Sequence, residues 1–163
     1  MKQSLISLFT FMLIVFSACE TPTEYTAEQY TISELSNQPG YAWLNQRISD
    51  YTPNAAVVAQ IKTSYQANPA NFTLFVNPSC TCTGTQQHFP RFISSIRAAG
   101  IPDNAVTIYS MRGIETKHPK SDVFSVTALP TFFVTRGTTN VGKIIAQADT
   151  TFHVETELAT ILK

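Results

Sequence analysis

Apolar and polar positions alternate in blocks along this chain, and each block predicts an element. Leu5 to Phe16 are apolar apart from Ser7 and Thr10, whereas residues 20–40 (ETPTEYTAEQYTISELSNQPG) are polar with no sustained apolar period, although 30–35 could pair or pack locally. Residues 41–50 suit a short helix carrying the single tryptophan, Trp43. Pro53 and Asn54 then open a second helix with Val57, Val58, Ile61 and Tyr65 at helical spacing, which Asn68-Pro69 closes. The run FTLFV at 72–76 is continuous and β-rich, as expected of a strand buried on both faces. From 83 to 99 the period is again helical, with Phe89, Phe92, Ile93 and Ile96 on one side, Gly100 as a stop and Pro90 as a kink. A second strand is predicted at 105–109, a loop at 111–120 and one or two helical turns at 121–125. Strands at 131–135 and 143–147 flank a Gly- and Asn-bearing turn that suits a hairpin. A helix from about 152, with Val154, Leu158, Ile161 and Leu162, closes the chain.

Helices and strands alternate first and a strand pair follows. That order predicts an α/β domain with a central mixed sheet, parallel strands joined to an antiparallel edge hairpin, flanked by helices. No internal repeat is visible.

At 163 residues the chain suffices for one ordinary domain plus some non-domain sequence. Net charge is zero and charged residues make up only 13%, with no basic stripe, so nucleic-acid binding lacks an electrostatic footing. The first segment, MKQSLISLFTFMLIVFSAC, has Lys2 ahead of an apolar run. That run is short of the about 20 residues needed to span a bilayer and fits a secretory signal ending at Ser17-Ala18. The run from Val15 to Cys19 resembles the lipobox of bacterial lipoproteins, with Phe16 in place of the usual Leu. The resemblance implies that the Cys19 thiol carries lipid. The expected organisation is thus a lipoprotein signal peptide at 1–18, a lipidated cysteine and polar tether at 19–40, and a domain at 41–163. The expected location is the bacterial cell envelope, lipid-anchored and either periplasmic or outward-facing, where disulfides persist. With Cys19 so occupied, Cys80 and Cys82 have only each other as partners within the chain.

Those two cysteines stand in the stretch NPSCTCTG, directly after the strand at 72–76. Flanking Thr and Gly, with no bulky apolar neighbours, favour exposure and reactivity. Three readings are open: a redox couple, a soft-metal chelate, or an inert pair. A thiolate pair binds Cu(I) well, and His88 or His118 would add an imidazole. Each histidine by itself reads as a solvated surface residue, and Met111, Trp43 and the phenylalanines read as packing. The mature chain lacks the second cysteine pair of a zinc site.

The element order, the cysteine pair between strand and helix, and the segment FSVTALPT (124–131) ahead of a strand together resemble the thioredoxin family from about residue 54 to the end. The resemblance implies a thioredoxin-like fold, Cys80 as the attacking and Cys82 as the resolving cysteine, and a cis bond before Pro130. Leu129 and Pro130 would dock substrate backbone, and Ser79 and Thr81 would border it. It also implies that protein thiols or disulfides and a redox partner protein are the partners, with no cofactor beyond the disulfide. CxC replaces the family's CxxC, so the pair must close in a tight turn, a spacing expected to yield its disulfide readily. Ser79 stands where many members have Trp, and Leu74 replaces a buried carboxylate. An isomerase, an oxidant or a slow, partner-specific reductase therefore suits this chain better than a fast reductant. Copper delivery through Cys80, Cys82 and His88, and a non-catalytic binding module, are the alternatives.

Overall fold

The computed structural model describes residues 26–146, 148–149 and 151–163, so Cys19 and the segment before it lie outside the described residues. Five strands form one sheet in the order β1-β3-β2-β4-β5. The central strands β2 (Asn71–Val76) and β3 (Val106–Ser110) run parallel, with Phe72 opposite Val106. On the other side of β2, β4 (Thr131–Arg136) is antiparallel, and β5 (Thr139–Ile145) completes the hairpin. Gly137 holds a φ of 59° in that hairpin's turn, a conformation that a side chain resists. The sheet is mixed and the class α/β, as the element order predicts.

The body extends further towards the N-terminus than residue 41. Glu28–Tyr30 forms β1, antiparallel to β3, and Ile32–Ser36 forms helix α1. Thr31 accepts from the Glu34 amide while the Glu34 carboxylate takes the Thr31 N–H, so the two cap α1 reciprocally. Ile32 and Leu35 are buried, which supplies the apolar burial that holds this polar-looking stretch on the domain.

Helix α2 (Leu44–Asp50) follows a single tight turn at Pro39–Tyr41. Helix α3 (Ala55–Ala67) starts at Asn54, whose side chain accepts from the amides of Ala56 and Val57. Helix α4 (Phe89–Ala98) and helix α5 (Val154–Ile161) complete the set. Among the described residues no helix is long and apolar enough to cross a membrane.

Alternation along the strands divides two cores. Phe72, Leu74, Val76, Val106, Ile108, Phe132 and Val134 face the buried residues of all five helices. Phe75, Tyr109 and Phe133 face the other way, joined by Met111 and Phe124. That second face is covered by the long connection 111–129. Residues 121–125, expected as helix, make only turns in which the Val123 and Phe124 amides both reach the Lys120 carbonyl. Pro119, Gly113 and a polar composition keep this connection out of a helix.

Candidate redox site

The site is built on the chain leaving the carboxyl end of β2. Asn77 shapes the exit: its side-chain carbonyl accepts the Ser79 N–H at 2.8 Å, and its amide donates to the Arg112 carbonyl at 2.7 Å. The Cys80 amide closes the turn on the Asn77 carbonyl at 3.3 Å. Pro78 is lodged against Gly40, where a Cβ would come within 2.9 Å of the Pro78 Cβ. The segment expected as tether therefore buttresses the cysteine turn.

Cys80 and Cys82 are joined by a disulfide with an S–S distance of 2.04 Å and Cα atoms 5.2 Å apart. Both are partly exposed, and Ser79 and Thr81 beside them are exposed. The Cys82 amide donates to Cys80 Sγ at 3.2 Å. The Cys82 carbonyl accepts the Gln86 amide at 2.9 Å, so the pair sits at the opening of a helical segment, where free N–H groups and the backbone dipole favour negative charge.

That segment does not begin as an α-helix. Gly84–His88 forms a π turn, in which the Phe89 amide reaches back to the Gly84 carbonyl, and α4 follows. Pro90 explains the widening. It has no N–H to give to the Gln86 carbonyl, and its ring needs the room, so the helix relaxes into the wider turn there instead of kinking within α4. The turn brings buried Thr85 back to the pair, its hydroxyl 3.5 Å from Cys82 Sγ. Neither disulfide sulfur carries a proton, so the hydroxyl is the donor.

The Leu129–Pro130 peptide bond is cis. Pro130 is buried against the π turn: a Cβ on Gly84 would lie 2.8 Å from Pro130 Cδ and 2.8 Å from the Ala146 carbonyl oxygen. The Pro130 carbonyl accepts the Ala146 amide at 3.1 Å, and Thr131 Oγ1 donates to the Ala128 carbonyl at 2.6 Å, so both sides of the proline are fixed. Leu129 is partly buried on the second core. Residues far apart in sequence thus meet at one end of the sheet, with glycine permitting the contact.

The histidines do not sit on the surface as expected. His88 is fully buried in the π turn, its ring 5.0 Å from that of Phe152. His118 is half-buried with its ring 4.6 Å from that of Phe75, and burial lowers its pKa while Asp122 opposes the shift. No group of three or more His, Cys, Asp or Glu residues placed to hold a metal ion occurs among the described residues. Leu74 is a fully buried core residue. Beside the first turns of α4, where Arg91 lies over the Tyr51 ring at 5.0 Å, the Tyr51 hydroxyl donates to buried Glu155, and burial and that carboxylate push the phenol up to about 12.

Gly84 and Thr85 join the candidate site although no motif marks them. The run of small residues in CTCTGT signals close approach, but which hydroxyl reaches the sulfur depends on the π turn. Compared with known proteins, the chain matches no family model, no curated protein and no solved structure.

Proposed function

We propose that this chain is an extracytoplasmic thiol–disulfide oxidoreductase or isomerase with a thioredoxin-like domain, held at the bacterial cell envelope by lipid on Cys19. The observation that carries the reading is the partly exposed Cys80–Cys82 disulfide at a helical N-terminus, with the Leu129–Pro130 segment packed against the turn beside it. In the reducing direction the Cys80 thiolate attacks a substrate disulfide, forming a mixed disulfide that Cys82 resolves. In the oxidising direction the same steps run backwards. The backbone at Leu129–Pro130 holds the substrate strand, and Ser79 and Thr81 line its path. Protein thiols or disulfides are the substrates, and a partner protein resets the pair.

The test is the reduction potential of the pair, measured by equilibration in glutathione buffers, alkylation and mass determination. A reversible two-thiol transition is expected. A midpoint above about −200 mV assigns an oxidant or isomerase, and one near about −270 mV a reductase. Cys80→Ser abolishes turnover, whereas Cys82→Ser accumulates mixed disulfides; equal activity in the two variants defeats the role assignment. If the pair never closes at any glutathione ratio, the redox reading fails and Cu(I) binding is the next measurement.

A further inference from the structure

Resting on that redox reading, we infer that Thr85 gives the disulfide a direction: Cys80 Sγ is the sulfur attacked, and Cys82 Sγ departs as a thiolate received by the Thr85 hydroxyl. Thr85 is fully buried, where a hydroxyl is costly unless it is hydrogen-bonded, and Cys82 Sγ is its partner at 3.5 Å. A disulfide sulfur is a weak acceptor, and a thiolate is a strong one. The contact therefore tightens as the S–S bond breaks, which is the differential that lowers a barrier.

The π turn is what makes the contact. Thr85 lies within Gly84–His88, and the buried face of that turn aims the hydroxyl back at the cysteine pair. Cys80 has a different donor, the Cys82 amide at 3.2 Å. The two donors divide the work: the amide holds the Cys80 thiolate of the reduced protein, and Thr85 holds the thiolate on Cys82 while Cys80 is engaged with substrate.

The oxidising step balances as follows. A substrate thiolate attacks Cys80 Sγ along the S–S axis; the new bond from substrate sulfur to Cys80 Sγ forms as the Cys80–Cys82 bond breaks. The electron pair of the broken bond goes to Cys82 Sγ. A second substrate thiolate then attacks the substrate sulfur of the mixed disulfide and releases the Cys80 thiolate. The protein disulfide has gained two electrons, the substrate dithiol has become a disulfide, and its two protons pass to solvent or to the protein thiols. In the reverse direction, the same hydrogen bond lowers the nucleophilicity of Cys82 and slows resolution.

The experiment uses the full chain carrying Cys19→Ser, oxidised, with reduced glutathione as the attacking thiol. Disulfide opening is timed by alkylation, and the glutathione adduct is located by peptide mass in the chain with Thr85 intact, in Thr85→Val and in Thr85→Ser. We expect the adduct on Cys80, opening slowed about tenfold in Thr85→Val, and recovery in Thr85→Ser. In a Cys80→Ser background, Thr85→Val also moves the pH profile of Cys82 alkylation upward. An adduct on Cys82, or an unchanged rate and pH profile in Thr85→Val, overturns the inference. The adduct position needs no Thr85 variant, so it decides even if Thr85→Val folds poorly. A disulfide that glutathione opens in none of these proteins overturns the redox reading itself, a different result from a disulfide that opens equally in all.

Discussion

A single missing side chain joins the two halves of the site. Gly84 lets Pro130 and the Ala146 carbonyl approach to distances that a methyl group cannot share. Gly84→Ala would gain about 1 kcal/mol of helix propensity and still lose stability, because overpacking costs about 1–3 kcal/mol and backbone is among the atoms that must move. Urea unfolding should show a lower midpoint with an unchanged slope. A more stable Ala variant would mean that Pro130 is not seated on the turn. His88 shows what the sequence held at this scale without its being used. Thr85, His88, Phe89, Phe92, Ile93 and Ile96 share one apolar face at three- and four-residue spacing, which places the histidine inside. A titratable residue next to a cysteine pair suggests chemistry, yet here periodicity was the better guide to its environment.

Among the elements, β2, β3 and β4 were legible because strands buried on both faces read as continuous apolar runs. The edge strand β1 was not, since EQY at a sheet margin carries no apolar pattern and owes its place to pairing with β3. The α1 cap, by contrast, was written in the sequence as Thr31 followed by Glu34. The connection 111–129 resisted reading for a related reason: its role is to cover Phe75, Tyr109 and Phe133, and no local period announces that. It carries a pH response. Burial holds the His118 pKa below its usual 6.5, so folding favours the neutral ring. The stability this confers is fully present above about pH 6.5 and is lost as pH falls through the lower, folded-state value. His118→Gln should flatten that acid-side decline in unfolding midpoints measured from pH 7 to pH 5; an identical slope in the variant would remove His118 as its source.

For the whole molecule, the partition of the chain is the main outcome. Residues that composition assigns to a tether supply an edge strand, a capped helix and the support behind Pro78. Leu35→Ala should therefore cost about 2–5 kcal/mol, as for any fully buried leucine. A mere tether residue would change stability by less than about 0.5 kcal/mol, and denaturant unfolding separates the two. The cysteine pair, its place after β2 and the cis bond before Pro130 were legible from the sequence, whereas Thr85 beneath the disulfide and the seating of Pro130 on Gly84 needed the fold. The two faces of the sheet, finally, are unequal in how they are fastened. Helices hold one, while the other is held by a connection with mostly local turns, such as the Thr116 amide to the Gly113 carbonyl at 3.1 Å. Amide protons of 113–128 should accordingly trade for deuterium long before those of β2, through excursions that lift this cover without unfolding the sheet. Because the same stretch leads into Leu129 and Pro130, each excursion would also loosen the segment packed on the turn beside the disulfide, so that the proposed docking surface would breathe while the Cys80–Cys82 pair stays still.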